Sequence, residues 1–179
     1  AAGVTTAYAA VSFSRTAIDG QRRSFKHTSE IIRALKQNIQ GLRVDHRIHA
    51  RFDMTYTAAI DALDELLTAG AVDLVSVMDH TPGQGQYRNV ETLVANRIKS
   101  GLSEEEARLH VERRIENAVS AEQIIENLER LLALCKSHNV AMASHDDDTV
   151  EKSNLMADLG VVISEFPVTL EAATVAKER

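Results

Sequence analysis

Residues 143–149, ASHDDDT, set a histidine and three aspartates in a row behind a short apolar run, 140–144. So many ionisable groups beside a core have two physical uses. Imidazole and carboxylate together ligate zinc, manganese or iron. Carboxylates ahead of a helix accept its free N–H groups and suit the positive end of its dipole. For Asp148 the second use is favoured, as the N-cap of the helix that follows.

The same residue types recur at spacings that matter. Arg47, His49, Arg51 and Asp53 alternate within 44–52 and just beyond it, so an extended strand points all four to one face. That face is too polar for a plain core and suits a cleft holding anions or metals. Asp79 and His80 follow the apolar run 73–78, and Glu165 lies at the end of 161–166. Taken singly, a histidine after a strand is usually a structural residue. His49, His80 and His145 at three consecutive strand ends bring a shared divalent-metal site level with the structural reading, and a water bound there would have its pKa drawn toward neutral. The arginines match the geometry of phosphate oxygens. His110 and His138 fall in helical patterns and read as surface residues, and His27 carries little weight.

The elements that position these groups are legible as periodicities. Strands are predicted at 3–10, 44–52, 73–78, 140–144 and 161–166, where β-branched and small apolar residues cluster. Helices are predicted at 29–40, 55–69, 89–100 and 169–177 from apolar spacings of three and four, several ending at a glycine. Ser103 with Glu106 and Ser120 with Gln123 have capping spacing, so 103–138 reads as two helices or one bent helix. A helix to Leu159 follows Asp148, and 12–27 reads as a loop. Strand and helix alternation implies α/β architecture with a parallel sheet and helices outside. Ligands in such folds sit at the carboxyl ends of the strands, where the histidines and carboxylates gather.

Composition narrows the classes of function. The 179 residues suffice for one domain with a core, and no linker or composition break divides 1–179. A net charge of −6 without a lysine or arginine run argues against nucleic acid as a partner. No apolar run reaches the roughly 18 residues that span a bilayer, so no membrane partner is expected. The single cysteine, Cys135, cannot form an internal disulfide and fits a reducing cytoplasm.

Five segments carry a resemblance: GVTTA at 3–7, DHRIHARFD at 45–53, LVSVMDHTPGQ at 74–84, ASHDD at 143–147 and EFPVTLEAA at 165–173. Together they resemble the alkylphosphonate-degrading branch of the amidohydrolase superfamily, the α-D-ribose 1-methylphosphonate 5-triphosphate diphosphatases. The resemblance implies a metal-dependent hydrolase on a TIM barrel that releases pyrophosphate from the 5-triphosphate of ribose 1-methylphosphonate. By position, His80 and His145 look like paired metal ligands, with His49 beside them and Asp53 where a glutamate is common. Asp53 and Asp146 are the implied catalytic carboxylates, and Asp146 or Asp147 would orient the His145 ring. Arg47 and Arg51 would neutralise triphosphate charge, with Gln84 and Arg88 touching the polyphosphate from the loop after the third strand. The cofactor implied is a divalent metal, zinc, manganese or iron, and the partner a phosphorylated small molecule.

Such barrels open with a His-x-His or His-x-Asp pair and close with a catalytic aspartate, and neither is found here. The resemblance therefore implies about five of eight β/α units in a single partial domain, 1–179. A sheet with two open edges is expected to form a homo-oligomer. Two other readings stand beside the diphosphatase. One is a cyclic amidase or deaminase on the same scaffold, and the other is a truncated piece without activity of its own.

Overall fold

The computed structural model describes residues 3–13 and 25–179. Five parallel strands form one sheet in chain order: β1 (Thr6–Phe13), β2 (Asp45–Asp53), β3 (Leu74–Met78), β4 (Ala141–His145) and β5 (Ile163–Glu165). Helices alternate with them: α1 (Phe25–Asn38), α2 (Ile60–Thr68), α3 (Val90–Lys99), α4 (Glu104–Glu116), α5 (Ala121–Ser137), α6 (Val150–Asp158) and α7 (Leu170–Glu178). Spatial order equal to chain order is the arrangement of consecutive barrel units, and five units are consistent with part of a TIM barrel. Among the described residues, no helix is long and apolar enough to cross a membrane.

The two faces of β2 explain the layering. Ile48, Ala50 and Phe52 are fully buried on one face, against Leu63 and Leu66 of α2 and the stacked ring of Phe13, 5.5 Å away. His49, Arg51 and Asp53 lie on the other face, as period-two alternation requires. β3 is short, buried at every position and apolar but for Ser76, as expected for a central parallel strand. Between β3 and β4 the chain makes three helices. α3 and α4 close over a small core of their own, Leu93, Val94, Ala107 and Val111.

The predicted helix signals hold locally. Ser103 and Glu106 form the reciprocal capping box, and Ser120 accepts from the Gln123 N–H, so 103–138 is two helices. Two expectations are corrected. β1 begins and ends three residues later than 3–10, because its register is set by pairing with β2, from Thr6 opposite Asp45 to Phe13 opposite Phe52. The predicted loop 12–27 lies largely outside the described residues, although β1 reaches Phe13 and α1 already starts at Phe25.

The second correction concerns Asp148. α6 is capped by Thr149, whose hydroxyl accepts from the Lys152 N–H at 3.1 Å. Thr149 is the extended residue directly before the helix, and an N-cap needs that backbone. Asp148 lies one position too early. Its carboxylate accepts instead from the Gly85 N–H at 3.2 Å and ties the loop after β3 to the loop after β4.

Candidate active site

The polar groups converge at the carboxyl ends of β2 to β5. Asp53 closes β2 and is almost wholly buried. Its Oδ1 accepts from the Thr55 N–H at 3.0 Å and the Thr55 hydroxyl at 2.6 Å, and its Oδ2 lies 3.1 Å from Nδ1 of His80. Burial would raise the Asp53 pKa, but hydrogen bonding and charge attraction from His80, with the two bonds from Thr55, together hold it below its ordinary value. An ionised carboxylate only accepts, so His80 Nδ1 carries the proton in that bond. In the neutral ring the Nε2 lone pair is then free, and Nε2 is buried without a hydrogen-bond partner among the described residues.

His145, at the end of β4, has the same polarity. The Arg51 Nη2 lies 3.0 Å from its Nε2. A guanidinium can only donate, so Nε2 accepts and the neutral ring carries its proton on Nδ1. That Nδ1 lies 3.0 Å from Asp146 Oδ2, close to the carboxylate but not aligned for a hydrogen bond. Asp146 has a positive φ of 59°, and its N–H donates to the Glu165 carbonyl at 3.0 Å. The left-handed turn thus brings the carboxylate back toward the ring it follows.

His49 completes the inner face. Its Nε2 is 2.8 Å from the Ser76 hydroxyl and 3.6 Å from Glu165 Oε2. Burial lowers its pKa most, with Arg51 and His145 adding to that and Glu165 opposing, so the ring is neutral near pH 7. Four neighbouring strands therefore contribute groups to one polar face over an apolar helical layer.

Not every expected residue arrives there. Arg47 lies near the amino end of β2, paired with Asp45 at 2.9 Å and Asp73 at 3.7 Å, and those carboxylates raise its pKa. The six steps from Arg47 to Asp53 span about 20 Å of strand, which keeps Arg47 from the Asp53 end of the cluster. Asp147 turns away from His145 and accepts from the Ser144 hydroxyl at 2.5 Å, with Lys152 Nζ 3.8 Å from its other oxygen. Of the two aspartates, Asp146 is the one against His145. Gln84 and Arg88 are exposed in the loop after β3, and neither side chain bonds to the described cluster.

Three contributors were not in the expected set. Ser76 is the inward polar residue of an otherwise apolar strand, a signal present in the alternation. Glu165 was visible only as a strand-end carboxylate. Arg114 of α4 donates from Nη2 to the His80 carbonyl at 2.6 Å and lies 5.6 Å from the Tyr87 ring centre. Nothing local marks it, because α4 is far from β3 in sequence. Among the described residues, no group of three or more His, Cys, Asp or Glu side chains is disposed to hold a metal ion.

The loops carrying His80 and His145 meet at Gly85. Its φ is +53°, and a Cβ there would come within 3.3 Å of the Asp146 carbonyl oxygen and 3.5 Å of that of Asp79. Gly85→Ala is expected to cost about 1–3 kcal/mol through the left-handed backbone and this crowding. A chain of this size would then melt roughly 2–4 °C lower per kcal/mol. An unchanged thermal transition would show that the two loops are not locked together there.

The chain is 32% identical, over 181 aligned residues, to the alpha-D-ribose 1-methylphosphonate 5-triphosphate diphosphatase of Escherichia coli (strain K12). The alignment covers 99% of this chain and 47% of the relative, so the chain spans about half the length of the curated relative it matches. The resemblance read from the five segments is thereby borne out across the chain. No protein-family model matches, and no solved structure matches.

Proposed function

We propose that the protein carrying this chain is a hydrolase of phosphonate breakdown. It would remove diphosphate from the 5-triphosphate of ribose 1-methylphosphonate. The observation that carries this reading is the gathering of Arg51, Asp53, His80 and His145 at the carboxyl ends of adjacent strands, in a chain similar to a diphosphatase of that name. Hydrolysis of a phosphoanhydride asks for little covalent chemistry from protein. It asks for positioned water and for positive charge where oxygens gain negative charge.

The residues fit a divalent metal in type. Both His80 and His145 turn Nδ1 to a carboxylate, the polarity that metal-ligating histidines have, and the Nε2 lone pair of His145 accepts from Arg51. Nε2 of His80, without a partner among the described residues, is the atom that a Lewis acid would satisfy. Nε2 of His80 would hold the metal, and Nε2 of His145 would join it only once Arg51 moves off that nitrogen, with further ligands from outside the described residues. When bound, the metal supplies Lewis acidity toward water and phosphoryl oxygens.

The chain's own groups do the rest. Asp53 fixes the His80 ring through Nδ1, and Thr55 fixes Asp53. Asp146 holds a negative charge beside Nδ1 of His145. Arg51 brings a fixed cation to the centre of the cluster, where it can pair with a phosphoryl oxygen. Water oxygen bonds to the α-phosphorus, the bridging P–O bond breaks, and diphosphate leaves with the electron pair. The water's protons pass to solvent and to the departing group.

The test is phosphorus NMR of the full-length protein turning over the ribose triphosphate. Diphosphate and the 5-phosphate are the expected products, in equal amounts. Release of orthophosphate, or ammonia release from cyclic amides in the absence of any phosphate product, would overturn the reading.

A further inference from the structure

A cavity of about 230 Å³ opens between the end of α4 and the Asp53–His80 pair, with His110, Arg113 and Arg114 on its α4 wall. Its charge is one-sided. Asp53, the carboxylate in its lining, is already engaged by His80 and Thr55. Arg113, Arg114 and nearby Arg97 have no carboxylate within ion-pair reach among the described residues. Arg33, Arg47, Arg108, Arg130 and Arg179 are each paired. The cations press on one another. Burial first, then Arg97 and Arg114, lower the pKa of His110, while burial and Arg97 lower that of Arg114.

In a chain of net charge −6, unpaired guanidiniums around one cavity call for an anion. The negative end of the α4 dipole accounts for cations in its last turn. It does not account for Arg114 reaching back to the His80 carbonyl and lying against Tyr87, which fixes a half-buried guanidinium at the rim beside the cluster. A planar, fixed guanidinium with N–H groups to spare binds phosphoryl oxygens two at a time.

We propose that this cavity is a phosphoryl-binding subsite, with Arg113 and Arg114 as its anion contacts, and that it takes the terminal phosphates of the polyphosphate chain. The assignment rests on the hydrolase reading above for the identity of the anion. The cavity borders His80, so phosphates held here would lie on the leaving side of the bond to be broken. The α3–α4 pair, with its separate small core, then serves as a rigid arm that carries cations to the strand ends.

Calorimetric titration of inorganic tripolyphosphate into the full-length protein tests this. Arg113→Gln and Arg114→Gln should each weaken binding about tenfold, the usual worth of one charge-assisted contact. Arg130→Gln, which alters an exposed pair with Asp61, should leave it unchanged. Among the described residues the Arg113 side chain makes no hydrogen bond or ion pair, and its carbonyl bonds from Asn117 survive the substitution, so tripolyphosphate binding Arg113→Gln as tightly as the native protein overturns the subsite. Arg114→Lys should restore part of the affinity, which a purely structural role for Arg114 would not predict. The two proposals separate cleanly. Diphosphate release with an unchanged KM in Arg113→Gln and Arg114→Gln overturns the subsite and leaves the hydrolase standing. Arginine-dependent tripolyphosphate binding by a protein that releases no diphosphate supports the subsite and sinks the hydrolase.

Discussion

Asp53→Ala in the full-length protein should lower kcat by about a thousandfold or more and cost about 2–4 kcal/mol of stability. The carboxylate is buried and collects hydrogen bonds from Thr55 twice and from His80 Nδ1. Removing it strands those donors and frees the ring whose Nε2 faces the site. The stability loss should depend on pH. The Asp53 pKa is lowered in the folded state, so its contribution is complete above the ordinary carboxylate range and is lost as pH falls through the folded value. Urea melts of the native and substituted proteins should therefore differ most near neutral pH and draw together in acid. A gap that stays constant into acid would show that the charge of Asp53 does not stabilise the fold. An unaltered kcat would remove Asp53 and His80 from the chemistry together.

Phe52→Ala should be the costliest single change in the core, about 3–5 kcal/mol. Phe52 is fully buried, stacks on Phe13 at 5.5 Å and belongs to the layer that packs β2 on α2. A domain holds about 5–15 kcal/mol in all, so this loss takes a large part of it. The comparison with Asp53 is informative because the two are neighbours on opposite faces of one strand. Phe52→Ala should lower the urea midpoint at every pH alike, since no titrating group is involved. A loss below about 1 kcal/mol would mean that the cavity collapses and that the packing around Phe13 is looser than its burial implies.

Much of the fold was legible because local physics wrote it. Alternation along 47–53 separates Phe52 from Asp53 before any contact is known. The apolar spacing of Ile60, Leu63, Leu66 and Leu67 specified α2, and the serines at 103 and 120 specified two helix starts. These signals need only a backbone period or a bond three residues away. The Asp148 cap failed for the same local reason. A threonine and an aspartate stand side by side with equal capping chemistry, and which becomes the N-cap depends on where the chain leaves β4.

The site divides along the same line. The sequence alone placed Asp53, His80 and His145 at strand ends, since residue type and position in a β/α unit are local properties, whereas His49, expected at a strand end, lies in the middle of β2 opposite Leu74. It could not tell Arg51 from Arg47, which share a face and a charge. Strand rise decides that, leaving Arg47 with Asp45 and Asp73 while Arg51 reaches His145 across 94 positions of chain. It could not choose between Asp146 and Asp147, which a single left-handed residue sends in different directions. Nor could it find Arg114, whose bond to the His80 carbonyl joins residues 34 positions apart. Periodicity and capping act over a few residues and determine elements, whereas which charges meet is set by sheet register and by helices packing across long separations of chain.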